Sequence, residues 1–441
     1  MYVLLRSPTA TPQDPYQIAR QEQTFASRDY NPMAFQEATL TTPLLSKSTS
    51  NSSNSSDGSP TSNQTLAKCI PRFPTSSGSY KSLAVLSGHL SSVSCLALCG
   101  EFVLSASQAK DIIVWQHPDL RQFTKFGHGD GSVKALAAVG NRVFSAHQDS
   151  RIRVWKLSKR SENVFRLIAT LPTTKDYLGN FMKQSNYVQT RRNHRRLWIE
   201  HADSISCLAV HAGLIYSGSW DKTLKVWRVS DLKCLESIRA HDDAINSLVA
   251  THDGMVYSAS ADGKIKAWGK RKDKSSHCLM GVLEARDDVA WNTVIACDDG
   301  RLVYGGASDG RVIGRERING NWKLACDVRA HEMAVLCLCS MGELLCTGSA
   351  DKSIGVWKRE GGSGDLLKLS VIIGHEGPVK CLQGSCYRVG EGYILYSGGL
   401  DKSLRVWWVP KESKEEGMEK GRSDHQHHTC SMEKKKCIML R

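Results

Sequence analysis

The chain has 441 residues, 41% hydrophobic and 23% charged, with a formal net charge of +14 and fifteen cysteines. A helical membrane span needs about 20 consecutive apolar residues, and no stretch approaches that, so no membrane role is expected. Met1 to Leu5 is too short an apolar run for a secretory signal, so the cysteines are expected as thiols in a reducing compartment, cytoplasm and/or nucleus.

From the N-terminus, residues 1–79 are dominated by Ser, Thr, Asn and Pro and culminate in SKSTSNSSNSSDGSPTSNQT. Such a segment cannot bury enough apolar surface to offset its ordering entropy and is expected to be disordered. Ser7-Pro8, Thr42-Pro43 and Ser59-Pro60 are candidate phosphorylation sites within it. The run KSLAVL (81–86) reads as a strand, and between Gly88 and Trp408 one pattern then recurs seven times. A His follows a turn, a short apolar strand comes next, then a small-residue strand ending near Ser or Thr, then Asp and, six residues on, Trp. The full copies are expected at His128, Ser145, Asp149, Trp155; His201, Ser217, Asp221, Trp227; His241, Ser258, Asp262, Trp268; His331, Thr347, Asp351, Trp357; and His375, Ser397, Asp401, Trp407. Self-similarity at a period of about 40–45 residues with four short strands per unit is the signature of a propeller. The expected fold is therefore all-β, a monomeric seven-bladed β-propeller over residues 80–410 with a charged tail at 411–441.

The four repeated residue types suit one buried network. The Asp can close a tight turn and hold the imidazole, the imidazole can bond the hydroxyl, and the hydroxyl can take the indole N–H, so no polar group is stranded. Two blades depart. Blade 1 keeps His89, Ser105 and Trp115 but has Ala109 in the Asp place, and blade 5 has Arg286, Gly305 and Arg315 in the His, Ser and Trp places. Blade 5 is thus expected to be the least well tied. The last copy stops after its third strand, so KSLAVL is expected to complete it and leave no open edge. Cys95, Cys207, Cys337 and Cys381 fall at equivalent first-strand positions and read as small core residues.

This constellation, in register with Gly-His turns and strand-terminal Trp, resembles the WD40 repeat family over three quarters of the chain. One irregularity interrupts it: Trp155 to Trp227 is 72 residues, where neighbouring spacings are 40 and 41. The excess is an insertion, residues 172–200, entering blade 3 on the face of the His and Asp turns. Lys156 to Glu200 holds ten Lys or Arg against three acids, a net of +7. Pro172 to Asp176, Asn186-Tyr187-Val188, Arg191–Arg196 and Leu197 to His201 make this segment similar to plant JINGUBANG-type WD40 proteins. That resemblance implies a regulatory adaptor acting through protein contacts in a plant cell.

Within the insertion Tyr177, Phe181, Tyr187 and Trp198 are interleaved with Arg191, Arg192, Arg195 and Arg196. Aromatics and Arg dominate interface hot spots, so these residues are the candidate partner-binding set. Trp220, immediately before the turn Asp of blade 3, joins them because a large aromatic in a solvent-facing turn needs a reason. The expected partner is a protein, such as a transcriptional regulator. Nucleic acid is a weaker alternative, and a short basic run at Lys270–Lys274 resembles an import signal.

No catalytic residue, metal or cofactor is expected. Gly306 to Gly310 matches G-x-S-x-G, but a nucleophile elbow needs a strand entering a helix, and here the stretch is a hairpin turn. The recurring His, Ser and Asp mimic a triad, yet near-copies in successive blades are scaffolding. A substrate receptor of a cullin-RING ubiquitin ligase is a further alternative. Such receptors carry an acid after the blade Trp, whereas this chain has Gln116, Lys156, Arg228, Gly269, Lys358 and Trp408 there. The C-terminal run Cys437 to Leu440 resembles a prenylation box spoiled by Arg441.

Overall fold

A computed structural model describes residues 80–411, apart from 118, 128–130, 159–163, 192–193, 272–275, 298–299 and 361–362. The two tails expected to be disordered, His128, Arg192 and most of the basic run at 270–274 lie outside the described residues, as does the side chain of Arg191.

Seven four-stranded antiparallel sheets follow one another along the chain. Each inner strand lies beside those of its two neighbours, and the inner strands of blade 1 (Val93–Cys99) and blade 7 (Val379–Val389) meet to close the circle. Lys81–Leu86, the run anticipated as a strand, pairs with Leu404–Pro410 in the register Leu86↔Leu404 and supplies the outer strand of blade 7. One blade is thereby sewn from both ends of the described chain. Among the described residues the fold departs from the all-β expectation in the insertion, which holds a short α-helix and a 3-10 turn.

Packing between blades is apolar. Val93, Val103, Ile113, Tyr396 and Val406 form the seam between blades 1 and 7, and equivalent clusters fill the other seams. Polar ties cross the seams at the second residue of the inner strands. Ser94 Oγ donates to Val133 O at 2.8 Å, Asn246 Nδ2 to Trp291 O at 2.9 Å and Asn292 Nδ2 to Val335 O at 3.0 Å. The inner-strand thiols Cys95 and Cys207 are buried, and burial pushes each up to about 12, so they remain protonated core groups.

The turn between second and third strands is built the same way in blades 2 to 7. The Asp carboxylate accepts the amide two residues on, at Arg151, Thr223, Lys264, Arg311, Ser353 and Ser403. This Asx turn lets the following residue take the left-handed region, as at Lys222 (φ 73°) and Gly263 (φ 77°). At Gly263 the glycine is required, because a Cβ would meet the Arg286 carbonyl oxygen at 1.9 Å.

Candidate functional site

In blade 3 the buried network runs unbroken. Trp227 Nε1 donates to Ser217 Oγ at 2.9 Å, Ser217 Oγ lies 2.8 Å from His201 Nε2, and His201 Nδ1 lies 3.0 Å from Asp221 Oδ2. One neutral tautomer satisfies every bond: the hydroxyl donates to Nε2 and Nδ1–H donates to the carboxylate. Burial lowers His201 below the usual imidazole range, which keeps it neutral. Burial alone would raise Asp221, but the imidazole, the Thr223 hydroxyl and the Ala202 amide hold its carboxyl well below the usual range. Blades 4, 6 and 7 repeat this geometry, with His Nδ1 to Asp distances of 2.8, 2.9 and 2.8 Å at His241, His331 and His375. Their hydroxyl partners are Ser258, Thr347 and Ser397, each also bonded by its Trp, at 268, 357 and 407.

The other three blades differ. In blade 1, His89 Nε2 and Trp115 Nε1 each reach Ser105 Oγ at 2.7 Å, while Asp111 pairs with Lys125 at 2.7 Å. In blade 2, Ser145 is bonded by Trp155 at 2.8 Å and by His147 at 2.8 Å, while His128 lies outside the described residues. His147 Nδ1 sits 3.1 Å from Gly131 O, and Asp149 binds Arg153 through two bonds. His147 lies two residues after Ser145 on the same strand face, so it reaches the hydroxyl from inside the sheet.

Blade 5 is tied by other means rather than left loose. Trp291 opens the inner strand fully buried, its indole donating to Gly263 O at 2.9 Å. A Cβ on Gly305 would meet the Trp291 ring at 2.9 Å and Ile265 Cδ1 at 2.4 Å, so the missing Ser is the condition for this Trp. Arg286 bonds Asp309 at 3.0 Å, and Arg315 makes two bonds to Glu284 on the outer strand of blade 4 (His277–Ala285).

The insertion leaves blade 2 at Leu171, which pairs with Ile152 just past the Asp149 turn, so it starts on the face of the turns. Its helix α1 (Thr174–Asn180) begins in a capping box: the Asp176 amide donates to Thr173 Oγ1 at 3.2 Å, and the Thr173 amide donates to Asp176 Oδ2 at 2.9 Å. A hairpin of Tyr187–Arg191 and His194–Leu197 follows. Tyr177, expected at the partner interface, is an anchor. Its hydroxyl donates to Glu200 Oε1 at 2.6 Å and accepts from Arg151 of the blade 2 turn, whose guanidinium lies over the ring at 5.3 Å. Burial, with Glu200, pushes the phenol up to about 12. Trp198 is half-buried between buried Leu197 and Ile199, and its carbonyl accepts from the buried ammonium of Lys225. Arg196 donates to His201 O at 3.1 Å, and Tyr187 donates to Phe181 O at 3.1 Å. Arg195 is exposed.

Besides charged side chains the insertion exposes four large apolar ones: Leu178 (69% exposed), Phe181 (48%), Met182 (79%) and Val188 (51%). Of these, residue type in the sequence singles out Phe181 alone; Leu178, Met182 and Val188 and the anchors Arg151, Glu200 and Lys225 go unmarked by it. The signal was present, since Thr173-x-x-Asp176 before apolar residues at i, i+3 and i+4 marks a short amphipathic helix. Trp220 is 39% exposed on the blade 3 turn, with Lys134 Nζ of the blade 2 inner strand 5.6 Å from its ring centroid. Burial and the neighbouring Lys380 push the Lys134 ammonium below the usual lysine range. Among the described residues no group of three or more His, Cys, Asp or Glu is placed to hold a metal, and no helix is long and apolar enough to cross a membrane.

Five segments, residues 80–116, 193–228, 232–269, 322–358 and 367–407, match the WD40 family model, described as WD domain, G-beta repeat. The matches skip the core of blades 2 and 5, the two with the most altered networks. The chain is 32% identical over 107 residues to WD repeat-containing protein pop2 of Schizosaccharomyces pombe, covering 24% of this chain and 14% of that protein. It is 28% identical over 201 residues to cell division control protein 4 of Saccharomyces cerevisiae (37% and 26%). It is 26% identical over 163 residues to an F-box/WD-40 repeat-containing protein of Arabidopsis thaliana (36% and 27%). The matched regions thus span under a third of the length of these curated relatives.

Proposed function

The chain is a WD40-repeat protein with a seven-bladed propeller, and on that premise we propose that it is a non-catalytic scaffold docking a partner protein across the turn face of blades 2 and 3. One observation carries this reading: Trp220 stands partly exposed on that face, in the blade the anchored insertion enters. A solvent-facing Trp with a cation over its ring is the kind of amphipathic anchor that dominates interfaces. In blades 3, 4, 6 and 7 the His, Ser or Thr and Asp residues that mimic a catalytic set are occupied in bonds to one another, and no buried side-chain N or O of these four tetrads lacks a partner.

The similarity of residues 172–201 to JINGUBANG-type proteins, and the Arabidopsis relative, support a finer reading as a regulatory adaptor in a plant cell with a transcriptional regulator as partner. The test is quantitative affinity capture from plant tissue with the parent chain beside Trp220→Ala and Arg195→Ala/Arg196→Ala. We expect partners to be lost from the Trp220 variant with its melting temperature unchanged; full retention would contradict the reading. Partners that are nucleic acids would instead be released steeply by salt.

A further inference from the structure

We propose that the apolar knuckle of the insertion, Leu178, Phe181 and Met182, is a docking surface for an acidic amphipathic segment of a partner protein. The inference rests on the reading above that partners dock on this face, and it names the contact and the chemistry it selects.

Leu178, Phe181 and Met182 stand at i, i+3 and i+4, neighbours on one side of α1 and its C-terminal turn. The Tyr187 hydroxyl bond to Phe181 O, and bonds from Asn186 Nδ2 to Asn180 O and Oδ1 at 3.1 Å, fasten the hairpin to the end of that helix. Tyr187 pairs with Leu197 and Gln189 with Arg195 in the hairpin, so the side that reaches Phe181 also carries Arg195. The knuckle is held in place from beneath by the capping box, Tyr177–Glu200–Arg151 and Lys225. A segment anchored this well could have turned its large apolar side chains inward, as it does Leu197 and Ile199; Leu178, Phe181 and Met182 remain in water. Isolated exposed apolar residues are ordinary, but consecutive ones on a fixed element mark an interaction surface.

Charge identifies the partner. Both acids of the insertion are engaged, Asp176 in the capping box and Glu200 by Tyr177, Arg151 and the Leu197 amide. Lys175, Lys183 and Arg195 are exposed and make no ion pair among the described residues. An apolar surface with an uncompensated cationic rim complements a segment whose apolar side chains alternate with Glu or Asp, and it repels a basic one.

The test uses the full chain and three fluorescein-labelled synthetic peptides: Leu and Phe at helical spacing among Glu, the same apolar pattern among Lys, and the Glu peptide with Ser replacing Leu and Phe. We expect the first to bind at least tenfold more tightly than the other two by anisotropy. Leu178→Ser/Phe181→Ser/Met182→Ser should lose at least tenfold, and Lys175→Glu/Lys183→Glu severalfold, both with parental melting temperatures. Equal binding of all three peptides, or parental affinity in the triple Ser variant, overturns the proposal. If Trp220→Ala abolishes binding while the triple variant retains it, the docking face stands and the knuckle falls; if neither variant loses affinity, both readings fall.

Discussion

Blades 3 and 5 occupy equivalent places in one ring and hold themselves together with different chemistry. Blade 3 buries His201, Ser217, Asp221 and Trp227 as one chain of hydrogen bonds. Blade 5 keeps only the Asp, moves its large aromatic to the inner strand as Trp291, and pairs its two arginines with Asp309 and Glu284. The ring specifies a volume to be filled and a turn to be closed, and more than one set of side chains meets both demands. Family resemblance measured residue by residue therefore weakens where the fold does not.

The largest break in the comparison is Trp291→Ala. Removing a fully buried aromatic that no neighbour can replace should cost about 3–5 kcal/mol in denaturant unfolding. Installing the blade 3 solution in blade 5 should also fail. Gly305→Ser drives its Cβ into the Trp291 ring and Ile265, and should cost about 1–3 kcal/mol as overpacking. In blade 3, Asp221→Ala leaves an imidazole without its acceptor and should cost about 1–3 kcal/mol. An unfolding curve like the parent's would mean that the tetrad does not hold this blade.

Acid should separate the two solutions. Burial, with Lys125 and against the pull of Asp111, lowers His89 to about 4, and His201, His241 and His375 are lowered by burial as well. The unfolded chain therefore binds protons at these sites first. The His contribution is fully present above the unfolded value of about 6.5 and is lost as pH falls through the folded values. Melting temperature should drop between pH 7 and 4, and His89→Gln should flatten part of that drop. Arg286→Ala, at a partly exposed ion pair of blade 5, should cost under about 1 kcal/mol and leave the acid slope unchanged.

The ring was legible because its signals are local and repeat: KSLAVL became the closing strand over Lys81–Leu86, and each Asp of blades 2 to 7 marked a turn. Periodicity could not show substitution across the pattern. His147 serves Ser145 from a position that no other blade uses for an imidazole, and Trp291 fills space that the repeat assigns to a residue on another strand. In the insertion, residue type alone selected aromatics and arginines, whereas tertiary contacts turned Tyr177 into an anchor and left Leu178 and Met182 outside. A polar tip makes a Tyr equally able to bind a partner or bolt a loop down, and only the position of Arg151 and Glu200 decides between them.

Trp220 and Asp221 are adjacent in one turn, and the account gives them opposite roles. Paired measurement of melting temperature and captured partner for Trp220→Ala and Asp221→Ala tests this most directly. The account predicts that Trp220→Ala melts like the parent and loses the partner, while Asp221→Ala melts earlier. A Trp220→Ala protein that unfolds early, or one that keeps the partner, would contradict it.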